Sequence, residues 1–439
     1  MGVYKSISLS FLSQIINLVI SFVLSILISR LLGKAGRGEY VLIITSMGFI
    51  VQVLCMGMES SITYYLSNKL QTLQSLFYSI NKIILAAIGT IIAIIGIQYF
   101  CNSHIFLAAP SGNNKLVYSV CLGILCIINL LNTITASMLN GLKLYNTVIV
   151  NSILLQLIIF IAIIILWAFA FTNYTNTGTI LFITIAAYSI IFIINSKALL
   201  AVVSTNNNCI KMSKIELKAF FKYSFISFLC GVFQYLSYKS DFWVVHYYKG
   251  ASALGVYSLA ASLSQLLWII PQSIATILFP YSGNLVKEAL AIIICRLGRV
   301  SLFIIIIIVM AAAALAKYFI PFIYGTEYTE AVHLFIYFLI GIVPFTLVKI
   351  ISSAFAGIGK IKYNLIISVL SFAIGLIAYL ILIPKYGLIG GVIGSNISYF
   401  LSTIIALYFF KKNYTIKYSD ILFIKMNDFK AIFLKLKSI

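Results

Sequence analysis

The stretch "GKAGRGEY" (Gly33–Tyr40) has a near-copy far along the chain, "GASALGVY" (Gly250–Tyr257). Both read glycine, four residues, glycine, one residue, tyrosine, and they lie 217 positions apart in a chain of 439 residues. Because this spacing is about half of the chain, it predicts an internal duplication.

The amino-acid composition indicates the environment in which the chain folds. Hydrophobic residues make up 62% of the chain, charged residues only 9%, and the mean hydropathy is +1.11. A soluble domain is about half apolar and about a quarter charged, so this chain needs lipid around it. The alternating pattern of a membrane β-barrel is absent, and lipid offers no partner to the backbone of an open strand. The sequence therefore predicts an all-α integral membrane protein.

Apolar runs of the length needed to cross a bilayer, about 20 residues, recur along the chain. The first run is too long for a signal peptide and no small-residue cleavage site follows it, so we expect a retained first helix. The twelve predicted spans are 7–29, 41–66, 79–100, 116–139, 147–171, 179–203, 220–247, 256–282, 289–319, 331–357, 364–383 and 388–410.

Two further matches support the duplication. "NGLKLYN" (Asn140–Asn146) resembles "GIGKIKYN" (Gly357–Asn364), with the Tyr-Asn pairs 218 positions apart, and Asn17 falls opposite Gln234. Six predicted spans separate the repeated motifs, so both copies follow helices of the same direction. Three matches near one offset predict two six-helix lobes related by a pseudo-two-fold axis along the membrane normal; chance similarity between glycine-rich turns is the alternative.

The domain organisation follows from these matches. We predict an N-terminal lobe at 1–204, an inter-lobe linker at 205–219, a C-terminal lobe at 220–410 and a basic amphipathic tail at 411–439. In the tail, apolar residues at helical spacing alternate with lysines, which favours a segment lying on an anionic leaflet. A docking site for a partner enzyme is the alternative. The tail's apolar positions are Leu422, Met426, Phe429, Phe433 and Leu436.

The basic residues predict the orientation in the membrane. If the N-terminus is cytoplasmic, most of the 30 lysines and arginines fall on the cytoplasmic side, so the positive-inside rule predicts that both termini are cytoplasmic. The exception is the first outer loop, with Arg30, Lys34 and Arg37. The net charge of +21 is scattered over short loops, so we expect membrane lipids and not nucleic acid as the charged partner.

Polar residues form stripes along several predicted helices. In the seventh predicted span (220–247) the stripe is Gln234, Ser237, Tyr238 and Asp241, at a spacing that puts them on one face. Such stripes predict a hydrated cavity between the lobes, with hydrogen bonding between helices as the alternative. The other stripes are Gln14, Asn17 and Ser21; Gln52, Glu59 and Thr63; Asn129, Asn132, Thr133 and Asn140; and Lys349, Ser352 and Ser353.

Ionisable residues inside the spans carry more information, because each costs a few kcal/mol at mid-membrane. They are Glu59, Lys239, Asp241 and Lys349, with Arg30 at the outer end of helix 1. We predict functional roles for Glu59, Asp241 and Lys349, with structural pairing as the alternative. Lys239 and Asp241 point to nearly opposite sides of a helix, so we expect no salt bridge between them.

Enzyme chemistry is not predicted. No phosphate-binding Gly-x4-Gly-Lys-Ser/Thr motif is present, the three histidines show no metal spacing, and no loop can hold a soluble catalytic domain. We expect a protein that is not an enzyme and has no cofactor or metal.

Several motifs resemble one family. They are "SRLLGKAGRGEYVLI" (29–43), "SDFWVVHYYKGASALGVYSLAASL" (240–263), "IIPQSIATILFPYSG" (269–283) and "LIPKYGLIGGVIGSNIS" (382–398). Together they resemble the Wzx-type O-antigen flippases, in the polysaccharide-exporter branch of the multidrug/oligosaccharidyl-lipid/polysaccharide superfamily. The resemblance covers about residues 5–410.

The resemblance implies a flippase in the bacterial plasma membrane. It would move an undecaprenyl-diphosphate-linked oligosaccharide, an O-antigen or capsule repeat unit, by alternating access, with polysaccharide polymerase and chain-length proteins as candidate partners. Arg30 and Lys349 are the candidate cations for the diphosphate, and Asp241 and Glu59 are candidates for binding a coupling proton or sodium ion. Gln234, Asn17, Gln52 and Asn132 would complete the polar lumen.

Other functions stay open at this point. A membrane-embedded glycosyl polymerase or ligase is one, although such enzymes usually need a large outer loop and the sequence offers none. A multidrug or metabolite/cation antiporter of the same architecture would carry small, often cationic substrates through a more acidic lumen. A non-transporting scaffold or a scramblase would not need charges inside its helices.

Overall fold

The computed structural model describes residues 3–68, 70–100, 115–168, 176–203, 212–283, 286–414 and 416–425. Regular structure in these ranges is helical, apart from turns, which confirms the predicted all-α class. The helices are α1 (Val3–Cys55), α2 (Met58–Ser67), α3 (Leu73–Phe100), α4 (Lys115–Gly141), α5 (Tyr145–Ala168), α6 (Thr177–Val203), α7 (Lys214–Leu266), α8 (Ile269–Ser282), α9 (Lys287–Tyr324), α10 (Thr329–Gly357), α11 (Ile361–Asn413) and α12 (Ser419–Leu422).

Nine helices within the described ranges are long and apolar enough to cross a membrane, as in a multi-pass membrane protein. Three of them, α1, α7 and α11, have 53 residues each. A straight helix of that length would measure about 80 Å, more than twice the thickness of the hydrocarbon core. Each is interrupted by one glycine with a non-helical backbone: Gly33, Gly250 or Gly387. If each of the three crosses twice, the crossings number twelve; that count stays a prediction.

The first glycine of the repeated motif marks the same backbone break in both copies. Gly33 has φ 63° and ψ −174°, and Gly250 has φ 80° and ψ −178°. Only glycine adopts this region without strain, because a Cβ atom would clash with the backbone. The motif "Gly-x4-Gly-x-Tyr" is therefore tied to a local conformation at both places.

The second sequence match also marks a repeated turn, but with a different register. In the turn after α4, the backbone nitrogens of residues 142, 143 and 144 donate to the carbonyls of 138, 140 and 139; after α10, those of 358, 359 and 360 donate to 354, 356 and 355. Both turns also place a residue at positive φ, Lys143 (63°) and Gly359 (76°). The turns thus correspond at an offset of 216, two residues away from the offset of the Tyr-Asn pairs.

The chain divides into two compact units, unit 1 (Met1–Tyr235) and unit 2 (Leu236–Ile439). The division falls inside α7, whereas the predicted linker lies at 205–219. The predicted lobes rest on sequence symmetry rather than on contacts, so the lobe boundaries and the symmetry axis stay predictions.

In unit 1, α4 packs against α2, α3 and α6, and α1 packs against α4 and α5. Fully buried residues such as Met58, Ile62 and Leu125 form the larger core, and a smaller one joins Leu24 of α1 to Ile163 of α5 and Ile180 of α6. Apolar contacts between helices therefore fix the positions of the polar residues described below.

In unit 2, α10 has the central position and packs against α8, α9 and α11. The chain beyond α11 packs onto α9 through α12, whose Ile421 is fully buried against Gly298. This part of the predicted tail, with Leu422, therefore belongs to the folded unit. Met426, Phe429, Phe433 and Leu436 lie outside the described residues, as do residues 204–211 of the linker region.

Candidate functional site

Asp241 lies in a buried polar cluster of unit 2, with 4% of its surface exposed. Its Oδ2 atom accepts a hydrogen bond of 2.8 Å from the Tyr257 hydroxyl, and its Oδ1 accepts one of 3.0 Å from the Phe242 N–H. Ser395 Oγ lies 3.5 Å from Oδ2 and 3.2 Å from the Tyr379 hydroxyl. The carboxylate is thus surrounded by hydroxyl groups, a setting that can hold a proton or a small cation.

The tyrosine of the repeated motif makes an equivalent contact in unit 1. The Tyr40 hydroxyl is hydrogen-bonded to Thr184 of α6, as Tyr257 lies 3.3 Å from Ser395 of α11. Thr184 and Ser395 each donate to the carbonyl four residues earlier, at 2.7 and 3.1 Å. The repeat therefore includes this hydroxyl pair as well as the backbone break.

Lys349 of α10 lies among aromatic rings of unit 2. Its Nζ atom is 4.7 Å from the ring centre of Trp268, 4.9 Å from that of Tyr238 and 5.8 Å from that of Phe345. These distances fall within the range of cation–π attraction. Among the described residues no carboxylate pairs with Lys349, so the predicted alternative of a structural ion pair has no partner there.

Glu59 of unit 1 follows a break between α1 and α2. Gly57 at the break has φ 70°, and a Cβ there would overlap the Ser224 carbonyl, so the break depends on glycine. The Glu59 side chain is hydrogen-bonded to Gln52, and its Oε2 atom is buried without a hydrogen-bond partner in the described part of the chain. Gln52 packs in turn on Gly231, where a Cβ would come within 2.5 Å of the amide nitrogen.

Asn17 and Asn132 make hydrogen bonds between helices. Asn17 donates to Ser152 Oγ at 3.1 Å. Asn132 donates to the Tyr188 carbonyl at 2.8 Å and accepts from Asn195 at 3.3 Å. Interhelical bonding, the alternative weighed for these residues, thus describes their contacts; a role in a lumen stays a prediction.

The basic residues of the first predicted outer loop differ sharply in burial. Arg30 and Lys34 are exposed, while Arg37 is only 4% exposed. Arg37 Nη1 donates to the Ser25 carbonyl at 3.1 Å and to the hydroxyl groups of Ser25 and Ser29. Arg37 therefore anchors the part of α1 after the Gly33 break onto the part before it. Gln234 is exposed near the end of unit 1.

Sequence reasoning missed Tyr257, Ser395 and Trp268 as site residues. Tyr257 had a usable signal, because Asp241 lies nine residues before the Gly250 break and Tyr257 seven after it. At 1.5 Å per residue, a chain that reverses at the glycine brings both to similar depth. Trp268 gave no such signal, since its position depends on a two-residue turn between α7 and α8.

These features define a class: a multi-pass helical membrane protein with repeated helix breaks and buried charges, as in transport proteins. The chain matches the family described as "Polysaccharide biosynthesis protein" over residues 3–286. It belongs to this family, and the resemblance drawn from the motifs is confirmed.

Comparison with individual proteins gives a relative and several similar folds. The capsular polysaccharide biosynthesis protein CapF of Staphylococcus aureus is 30% identical over 172 residues, which cover 37% of this chain and 42% of that protein. This chain thus aligns with less than half the length of that relative.

Two solved structures share the fold along nearly the whole chain. The lipid II flippase MurJ in an inward closed conformation has a TM-score of 0.76 at 18% identity, over 99% of this chain and 93% of the other. A multidrug resistance MATE family transporter in an inward-facing conformation has a TM-score of 0.68 at 15% identity, over 94% of each chain. At these identities the likeness concerns the fold alone; both neighbours are described as flippase or transporter.

Proposed function

We propose that this protein is a flippase that moves an undecaprenyl-diphosphate-linked oligosaccharide, an O-antigen or capsule repeat unit, across the bacterial plasma membrane by alternating access. Membership of the polysaccharide-biosynthesis family supports the substrate class, and the fold shared with a flippase supports the activity.

The single observation that carries the proposal is Lys349. A lysine inside an apolar helix costs a few kcal/mol, and no carboxylate of the described chain offsets its charge. A diphosphate requires a fixed cation, and the Lys349 ammonium can supply one. Arg30 is the second candidate cation, at the end of the first half of α1.

Complementation tests the proposal. A strain lacking its own O-antigen or capsule flippase should regain surface polysaccharide when it expresses this protein, measured by gel or immunoblot. Lys349→Gln and Arg30→Gln should lower this signal, whereas Lys317→Gln and Lys34→Gln, at exposed lysines, should not. Unchanged surface polysaccharide in both Lys349→Gln and Arg30→Gln would exclude the diphosphate roles.

Asp241 and Glu59 are the proposed sites of a coupling proton or sodium ion. Asp241 has the hydroxyl-rich surroundings and Glu59 the unpartnered oxygen. Transport into vesicles should depend on pH or on sodium, and Asp241→Asn or Glu59→Gln should reduce that dependence. A rate that is indifferent to pH, sodium and both substitutions would eliminate ion coupling at these sites.

An antiporter for drugs or metabolites is the second candidate, favoured by the MATE-like fold. It predicts efflux of small organic cations from cells, measured with a fluorescent dye, and no restoration of surface polysaccharide. The flippase proposal also includes cytoplasmic termini, which reporter fusions at each end of the chain test. It includes polysaccharide polymerase and chain-length proteins as partners, which crosslinking tests.

A further inference from the structure

Lys349 lies beside a buried hydrogen-bond donor that has no acceptor within the described residues. The indole Nε1 of Trp268 is buried and makes no hydrogen bond within the described chain. Trp268 occupies the turn between α7 and α8, where its backbone N–H donates to the Gln265 carbonyl at 3.0 Å. A buried N–H without an acceptor is costly, so this orphaned donor next to an unpaired ammonium requires an explanation.

The rings around these donors form a packed aromatic cluster of Tyr238, Trp268, Phe345 and Tyr399. Trp268 lies 5.1 Å from Tyr238 and 5.2 Å from Phe345, measured between ring centres, and Phe345 lies 4.8 Å from Tyr399. Phe345 is four residues before Lys349 on α10, so both side chains leave the same face of the helix. The cluster therefore holds the indole and the ammonium in fixed positions.

A hydrogen-bonded link behind the cluster adds to this rigidity. Gln265 is hydrogen-bonded to Tyr399, and its Oε1 atom lies 3.4 Å from Lys239 Nζ. Lys239 is thus linked to the cluster through Gln265, whereas the Trp268 indole N–H has no acceptor within the described residues.

We infer that the Lys349 ammonium and the Trp268 indole N–H together bind a phosphate oxygen of the lipid-linked substrate. An ammonium and a neutral N–H match an anionic oxygen, which accepts several hydrogen bonds at once. In the absence of the ligand, the ring faces hold the ammonium by cation–π attraction, which is weaker than pairing with a phosphate and so allows exchange. This inference rests on the proposed flippase function and adds Trp268 to the phosphate site.

Binding of radiolabelled undecaprenyl diphosphate to the full-length protein in lipid nanodiscs tests the inference. Trp268→Phe keeps an aromatic ring and removes the N–H, so binding should become about tenfold weaker, and Lys349→Gln should weaken it at least as much. Trp167→Phe, at an exposed tryptophan of α5, and Lys317→Gln are the matched controls and should bind as the wild type does. Undecaprenyl monophosphate and inorganic pyrophosphate, as competitors, distinguish a lipid phosphate from a free one.

A second measurement keeps Trp268 in place and so tests the inference even where Trp268→Phe does not fold. The chain has three tryptophans, so Trp167→Phe with Trp243→Phe leaves Trp268 as the only reporter. Its fluorescence should change saturably with undecaprenyl diphosphate and not with undecaprenol.

The outcomes separate the two proposals. Wild-type affinity in folded Trp268→Phe, or unchanged Trp268 fluorescence with undecaprenyl diphosphate, overturns the inference even where the protein restores surface polysaccharide. Failure of the wild type to restore polysaccharide in any flippase-deficient strain overturns the flippase function instead. Displacement of undecaprenyl diphosphate by inorganic pyrophosphate but not by undecaprenyl monophosphate also overturns the inference, because the site would then recognise a free phosphate and not a lipid-linked one.

Discussion

The two copies of the glycine break have the same backbone conformation but carry different buried charges. In unit 1, the position nine residues before the break is Leu24 and the position four residues after it is Arg37. In unit 2 the same positions are Asp241 and Leu254. All four residues are buried. Unit 1 thus has a cation after the break, and unit 2 has an anion before it.

The contacts of the two charges differ in kind. Arg37 donates to a carbonyl and two hydroxyl groups of α1, an arrangement that tethers two helix segments. Asp241 accepts from the buried hydroxyl of Tyr257 and has two further hydroxyl groups nearby, those of Ser395 and Tyr379. The break thus has the same backbone conformation in both units, while Arg37 links two helix segments of unit 1 and Asp241 lies among hydroxyl groups in unit 2.

The largest expected effect on stability is at Arg37. Arg37→Ala removes its hydrogen bonds and leaves a cavity, so unfolding should become about 3 kcal/mol easier. Arg37→Leu, which installs the residue of the equivalent position in unit 2, should cost less than half as much, because the Ser29 hydroxyl already donates to the Ser25 carbonyl and a leucine fills the space. Thermal unfolding in detergent measures both variants. Equal losses of stability in Arg37→Ala and Arg37→Leu would show that the packing of a leucine cannot replace the hydrogen bonds of Arg37.

Asp241→Leu makes the reciprocal exchange and should affect transport rather than stability. The substitution also removes the desolvation cost of a buried carboxylate, and Tyr257 keeps Ser395 as a partner. Restoration of surface polysaccharide should fall by at least about tenfold, a loss of roughly 1.4 kcal/mol or more, with the unfolding temperature nearly unchanged. A variant that unfolds early and transports normally would assign Asp241 a structural role.

The two glycines of the break should show equal and smaller effects. Gly33→Ala and Gly250→Ala each force a side chain into a backbone region that costs about 1–3 kcal/mol, with the same cost expected in both units. Gly89→Ala, where a Cβ meets open space and φ is not positive, is the control and should be neutral or stabilising. Different losses at Gly33 and Gly250 in thermal unfolding would show that the breaks are not equivalent.

The smallest expected effect concerns the segment that follows α11, at residues 416–425. Lys425 Nζ lies 2.7 Å from Asp420 Oδ1, and this hydrogen bond lowers the pKa of Asp420. A carboxyl group with a lowered pKa in the folded state stabilises above its unfolded pKa of about 3.9 and loses that contribution as the pH falls through the folded pKa. Protection of residues 416–425 against hydrogen exchange should therefore fall modestly as the pH drops below about 4, and Lys425→Gln should reduce this pH dependence. Hydrogen exchange of this segment measures both; an unchanged profile in Lys425→Gln would contradict the role of the pair.

The predictability of the candidate site differs from residue to residue. Asp241 and Lys349 could be selected because a charge in an apolar run is costly wherever it lies. Their partners could not, since the Trp268 indole reaches Lys349 only through the packing of α10 against the turn before α8. Asn17 and Asn132 show the converse: as polar residues on a stripe they resemble lumen residues, yet their hydrogen bonds join neighbouring helices.

The register of the repeat shows a similar limit. The Tyr-Asn pairs suggested an offset of 218, while the hydrogen bonds of the turns after α4 and α10 correspond at 216. A few identical residues near a turn can be aligned at offsets that differ by one or two positions. The hydrogen bonds of the turn admit only one alignment.

The sequence by itself determined that this protein is helical, lies in a membrane and repeats one glycine motif at Gly33 and Gly250. Hydrophobicity and the steric limits on φ act on each residue where it stands, so they can be read without knowing any neighbour in space. Only the tertiary structure decided that Tyr257 faces Asp241, that Arg37 is buried on α1 and that Trp268 lies beside Lys349. Each of these pairs depends on which faces of two helices meet, and that choice is made by the summed packing of many apolar side chains.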